Sequence, residues 1–259
     1  MSAFFFEGPG YQMSGDTVVN SFFKGTSLEF RAVGLHHIIL TETKEHILFK
    51  RPDNSANNLL MGNLYVDVHG DIEVTNMTKN IKVQVNISRQ GMFTTQNGLH
   101  RLEGKIMDEN GKARYEINGK WSEYLNFKDL ATGKEQEIFR AFERPPNSVR
   151  MYGFGYHQCN LNYLDDEMKR TLPPTDCRRR PDQRLMEEGD YDSAADSKHR
   201  LEEKQRAVRK QREKEGIDYK CKYFEQVFDQ YSNENMYKFN GVYWDKRKKM
   251  DYAGMPDLY

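Results

Sequence analysis

Cysteine is scarce in this 259-residue sequence, with 3, and net charge is absent, with 39 Lys+Arg set against 39 Asp+Glu. Cys159, Cys177 and Cys221 lie far apart. They form neither a C-x-x-C metal motif nor a disulfide framework, which fits a reducing, cytosolic setting. With its charges balanced, the chain has no global field to draw it to nucleic acid or to an anionic membrane, so any such attraction has to be local. No apolar run approaches the length that crosses a bilayer. MSAFFFEGPG lacks the basic start and apolar core of a secretory signal, so the sequons at Asn76 and Asn86 read as chance matches. Catalytic signatures are missing too: there is no G-x-S-x-G, Walker A, H-E-x-x-H or dinucleotide fingerprint. No enzyme, cofactor or metal is therefore expected. Arg178–Arg180 would suit phosphate, but without an RNP-type aromatic motif nucleic acid is not the expected partner.

What the sequence does hold is aromatic residues, 15 Phe and 15 Tyr, alongside 30% charged residues. That mixture fits a globular protein with one long charged segment rather than a disordered chain. Residues 2–160 read as short strands: SLEFRAVG, HHIIL, HILFK, NLLMGNLYV, DIEVTN, IKVQVNIS and HRLEGKIMD show β-branched or aromatic enrichment with partial alternation. Turn chemistry separates them at His69–Asp71, Asn97–Gly98 and Glu109–Gly111. Closely spaced strands with almost no helical period imply an antiparallel meander curled into a sandwich or barrel wall. A last aromatic strand is expected after Arg144, with a soft boundary near 160–162. Adjacent His36 and His37 would point to opposite faces of a strand and cannot readily chelate one metal, so both are structural. Trp121, after a turn glycine, is a packing anchor.

The charged segment follows. Pro173, Pro174, Arg178–Arg180 and Pro181 predict a stiff basic loop outside any helix. Asp192 or Ser193 then offers an N-cap for a helix running to about Arg212 and stopped by Gly216. Ala194, Leu201 and Val208 repeat every seven residues as a narrow apolar seam. Lys198, Glu202 and Arg206 follow at i, i+4 and i+8, on one flank beside it. At 1.5 Å rise per residue, Lys198 and Arg206 are about 12 Å apart at the backbone, close enough for both to reach one polyanion with Glu202 between them. Read from periodicity alone, the same helix is a solvated charged face, its Glu202–Arg206 pair contributing about 0.3–0.5 kcal/mol.

LPPTDCRRRPDQR (from Leu172), then EEGD and KHRLEEKQR, closely resembles the oxysterol-binding protein family of lipid-transfer proteins. K-G-x-S-L-E-F at Lys24–Phe30, the segment Gly62–Asn76 and Y-E-I-N-G-K-W at Tyr115–Trp121 extend the resemblance over nearly the whole chain. It implies that Lys198, Glu202 and Arg206, in the pattern K-x-x-x-E-x-x-x-R, contact the phosphorylated inositol of phosphatidylinositol 4-phosphate. It also implies a lipid tunnel and exchange of that lipid for a sterol or phosphatidylserine between membranes. The protein would be cytoplasmic and in peripheral contact with organelle membranes. The family's E-Q-V-S-H-H-P-P motif has no counterpart, since His36 and His37 precede Ile38–Ile39, and Ser2–Glu7 matches the segment just downstream of that motif. The resemblance thus implies the C-terminal part of a lipid-binding domain. The expected fold class is β-rich α+β: an incomplete antiparallel β-barrel over residues 1–160, then a C-terminal helical subdomain over 161–259 carrying the head-group helix. A truncated, non-transferring interaction or regulatory protein, pairing an open β edge with a partner, is the alternative.

Overall fold

The structure is a computed structural model that describes residues 2–91, 94–95, 98–151 and 153–259. The turn expected at Asn97–Gly98 falls outside the described residues at Asn97. Two compact units emerge: Met1–Ala141 with Phe224–Phe239, and Phe142–Tyr223 with Asn240–Tyr259.

The first unit is a twelve-stranded antiparallel sheet joined by a two-stranded hairpin. Its strands are β1 (Ser2–Gly8), β2 (Tyr11–Phe23), β3 (Ser27–Val33), β4 (His36–Leu40), β5 (His46–Phe49), β6 (Asp53–Asn57), β7 (Tyr65–Asn76), β8 (Ile81–Ile87), β9 (Arg101–Met107), β10 (Ala113–Lys120), β11 (Tyr124–Asp129) and β12 (Glu135–Arg140). The topology is simpler than this count. Val18–Val33 and Gly15–His36 are one register continued, so β3 and β4 are two halves of a single strand laid along β2. The interruption is at Gly34, whose φ is 125° and where an added Cβ would lie 2.3 Å from the Asp16 carbonyl oxygen; only glycine fits there. β5 and β6 likewise pair with the two ends of β7. The sheet is therefore an up-and-down meander, as the strand spacing implies. It is not closed into a true barrel: among the described residues β1 pairs only with β2, and β12 only with β11.

The turn expected at His69–Asp71 is absent, because β7 runs straight through it. β6 holds Tyr65–His69 and β8 holds Gly70–Asn76, so ladder bonds on both sides override the local turn composition. Asn58–Leu64, expected as part of a strand, forms a loop instead. Glu109–Gly111 is a turn, with Asp108 Oδ1 accepting the Asn110 and Lys112 N–H groups at 3.0 and 2.9 Å. Trp121 packs on the His100 ring at 4.5 Å between centroids.

The hairpin comes from far along the chain, as β13 (Phe224–Asp229) and β14 (Glu234–Phe239). It lies on the β1–β2–β4 end of the sheet. Phe239 stacks on Phe5 at 4.6 Å, and the Tyr237 N–H donates to Asp16 Oδ2 at 3.0 Å.

The second unit holds a few helices: α1 (Tyr156–Asn160), α2 (Asp166–Thr171), α3 (Pro181–Glu188), α4 (Tyr191–Glu215) and α5 (Val242–Lys249). No strand follows Arg144 among its described residues; a 3-10 turn at Ser148–Met151 and α1 occupy that place. Pro181 opens a helix rather than extending a loop. At N1 its missing N–H costs nothing and its φ is already helical. VYWDKRKK forms α5, opened by left-handed Gly241. No helix among the described residues is long and apolar enough to cross a membrane.

Candidate functional site

Sheet alternation sorts the first unit into two chemically different faces. One cross-strand row reads Phe4, Gly15, His36, Phe49, Val74, Val83, Ile106 and Tyr115. The next row on the same face reads Ile72, Val85, Gly104, Ile117 and Phe127. Except for buried Gly15 and His36, these residues are only half-buried. An apolar face therefore spans the meander from β1 to β11 with little to cover it, in a class of surface that isolated soluble domains rarely leave open. The residues that alternate with these over β7–β10, among them Asp71, Glu73, Gln84, Lys105 and Glu116, are polar, and a cavity of about 800 Å³ there is lined by residues of both sets. Carboxylates are unsuitable neighbours for hydrocarbon, so the apolar face is the better candidate surface despite being open.

The histidine pair divides as alternation requires. His36 lies on the apolar face, shares a 3.1 Å hydrogen bond with Thr17 Oγ1, and meets the edges of Phe4 and Phe49. His37 lies on the other face, 3.0 Å from His46 Nε2 and 3.6 Å from Asp229 Oδ2. Burial lowers the pKa of all three histidines below the ordinary value. Among the described residues no group of His, Cys, Asp and Glu is placed to hold a metal.

In the second unit, α4 carries the three charged residues singled out by spacing. Its cap is Asp190, whose side chain accepts the Ser193 N–H at 3.1 Å, and not Asp192 or Ser193. Gly216, left-handed at φ 65°, ends it after Glu215. The packed stripe is Ala194, Ser197, Leu201 and Lys204 rather than the expected seven-residue repeat, and Val208 is 51% exposed. A straight helix has 3.6 residues per turn, so a strict seven-residue stripe drifts off the packed side. Lys198 and Arg206 are exposed and Glu202 half-buried. Arg206 Nη2 pairs with Glu202 at 3.4 Å and its Nη1 with Glu203; among the described residues no ion pair reaches Lys198. Glu202 thus holds one of the two cations, and Glu203, which the spacing argument passed over, shares that cation.

The basic loop is internally spent. Arg178 donates to Asp176 at 2.8 and 2.9 Å, Arg180 to Asp182 at 2.7 and 3.0 Å, and Arg179 to the carbonyls of Lys169 and Leu172 at the end of α2. The Asp182 hydrogen bond, the largest influence, holds Arg180 above its ordinary pKa, and the nearby Glu202 charge adds to it. Arg180 is a further cation whose charge is felt at Glu202, outside the linear pattern. It stands 22 residues before Glu202 in the chain, and only the fold makes the two feel each other. Lys204 pins the tail to α4 through Asp257 at 2.8 Å and the Tyr259 carbonyl at 3.1 Å. Tyr252 and Tyr259 donate to the Thr171 and Thr175 carbonyls.

Comparison with known proteins adds independent findings. The model of the oxysterol-binding protein family matches residues 1–248. Human oxysterol-binding protein-related protein 1 is 32% identical over 278 aligned residues, covering 92% of this chain and 29% of that protein. Oxysterol-binding protein homolog 1 of Saccharomyces cerevisiae is 31% identical over 288, covering 100% and 24%. The chain thus spans under a third of the length of these relatives. Among solved structures, the Osh1 ORD domain in complex with ergosterol superposes with a TM-score of 0.88 at 28% identity, covering 99% of this chain and 65% of that one. The Osh3 ORD of Saccharomyces cerevisiae in complex with PI(4)P gives 0.82 at 30%, covering 99% and 66%.

Proposed function

Because the chain belongs to the oxysterol-binding protein family, whose members are lipid-binding proteins rather than enzymes, we propose that it binds membrane lipids and moves them between membranes. Phosphatidylinositol 4-phosphate is exchanged for a sterol or phosphatidylserine. The observation that carries this reading is the half-buried apolar face running from β1 to β11. Hydrocarbon laid against it leaves water at a gain of about 0.8 kcal/mol per CH₂, so even a partly covered acyl chain or sterol is held firmly. The division of labour is between the β-wall of the first unit, which takes up hydrocarbon, and the helical second unit, which selects the head group. There Lys198 and Arg206 donate to phosphate, and Glu202 orients Arg206. The protein works in the cytoplasm, in peripheral contact with organelle membranes. Liposomes loaded with labelled sterol or phosphatidylinositol 4-phosphate test the reading. Label should move to the protein and then to acceptor liposomes.

A second reading is favoured by the free edges of β1 and β12: a non-transferring interaction or regulatory protein that adds its edge to a partner sheet. Label that stays with the donor liposomes, together with a partner captured through β1, would support this reading over transfer.

A further inference from the structure

Turns on a sheet usually carry Gly, Asn, Asp, Ser or Pro. The β6–β7 loop here instead exposes Leu60, Met61 and Leu64 at 71%, 85% and 65%, and Phe23, the last residue of β2 at the neighbouring Lys24–Thr26 turn, is 66% exposed. The two connections sit side by side, since Ser27 pairs with Asn57 and the Leu59 N–H donates to the Thr26 carbonyl at 3.0 Å. They are built rather than frayed. The Lys24 N–H donates to the Ser27 carbonyl at 2.8 Å, Asn58 Nδ2 to the Asn63 carbonyl at 3.0 Å, and Gly25, Asn58 and Gly62 take the left-handed positions the turns require. Lys24 is the one charged residue in the stretches 22–26 and 58–64.

We propose that these two connections form a membrane anchor, inserting Phe23, Leu60, Met61 and Leu64 into the interfacial layer of an anionic bilayer. Charge decides the occupant. No carboxylate stands on either tip to be repelled by acidic lipids, and Lys24 is placed to meet head-group phosphate while the apolar side chains enter the acyl boundary. Paired backbone groups in both turns lower the cost of leaving water. Continuity points the same way: Phe23, Leu28, Ala56 and Val66 form one cross-strand row on the apolar face of the sheet, so the anchor stands where that face runs out to its loops. The purpose of the anchor rests on the lipid-binding reading above, but its existence does not.

Vesicles that contain neither sterol nor phosphoinositide separate the two claims. The chain should co-sediment with phosphatidylcholine vesicles containing some phosphatidylserine. Leu60→Ser and Met61→Ser should each weaken that partitioning about tenfold, the order expected for withholding one such side chain from hydrocarbon. Lys24→Glu should weaken binding to the anionic vesicles and leave binding to neutral ones unchanged. As a second readout, Met61→Trp should give emission that shifts to the blue on adding vesicles, measured against the unaltered chain with its 2 tryptophans. Emission that does not move, or serine variants that sediment like the unaltered chain, would overturn the proposal. So would a chain that ignores vesicles but self-associates through these side chains, becoming monomeric in the serine variants.

Discussion

Replacing Arg206 by alanine separates the head-group role of α4 from its structural role. Its side chain is 62% exposed and pairs with Glu202 and Glu203 one turn back along the helix. Exposed helix pairs of this kind contribute about 0.3–0.5 kcal/mol each, and alanine is a better helix former than arginine, so the two terms nearly cancel. The melting temperature of Arg206→Ala should therefore stay within a few degrees of the unaltered chain. Binding should respond quite differently. A charge-assisted hydrogen bond to phosphate contributes about 1.5–3 kcal/mol, so uptake of phosphatidylinositol 4-phosphate should weaken by about ten- to a hundredfold. Sterol uptake, which needs the apolar face and not the cation, should hardly change. The assay is competition between the two labelled lipids for the chain, with a thermal melt run beside it. Unchanged phosphoinositide affinity at an unchanged melt would return Arg206 to a solvated helix face and refute the assignment.

Three further outcomes follow from the geometry. Glu202→Ala should also weaken phosphoinositide uptake, although it removes a negative charge near phosphate, because Arg206 loses a partner that orients it; tighter binding would show that repulsion dominates. Acid should loosen the β13–β14 hairpin from the sheet. Burial lowers the pKa of His37 and His46; at His37 Asp229 and Asp16 oppose it and Lys238 reinforces it, at His46 the His37 charge reinforces it and Asp229 opposes it, so the unfolded chain takes up protons first. Their contribution to stability is then complete above the ordinary histidine value of 6.5 and declines as pH falls below it. Hydrogen exchange of residues 224–239 at neutral and mildly acidic pH reads this directly, and identical protection at both would contradict it. Gly119→Ala should destabilise the first unit by well over ~1 kcal/mol, since φ there is 151° and the new Cβ would lie 2.2 Å from the Tyr124 carbonyl oxygen; an unchanged denaturant midpoint would contradict this.

What the sequence could disclose follows from the range of the interactions involved. The meander was legible because strand alternation and turn composition are local, and so was the stop of α4 at Gly216. The spurious turn at His69–Asp71 was not avoidable by the same logic. His-Gly-Asp has turn composition, and only the flanking strands β6 and β8 hold it extended. Pro181 misled for a related reason, since proline excludes a helix interior but suits its first position. The return of Phe224–Phe239 to the sheet depends on contacts such as Tyr237 with Asp16, more than two hundred residues apart, which no periodicity reveals. Spacing did place Lys198, Glu202 and Arg206 on one flank of α4. It could not show that Glu203 shares Arg206 or that Arg180 stands near Glu202.

The central claim is that the apolar sheet face takes up lipid hydrocarbon. It is tested most directly by incubating the 259-residue chain with liposomes carrying labelled cholesterol, isolating the protein, and measuring bound label for the unaltered chain and for Ile117→Asp. Ile117 sits half-buried on that face, in register with Gly104 and Phe127, so a carboxylate there would be forced against hydrocarbon. Label on the unaltered chain that is lost from Ile117→Asp is the predicted result. Equal label on both proteins, or none on either while the unaltered chain remains folded and monomeric, would contradict the account.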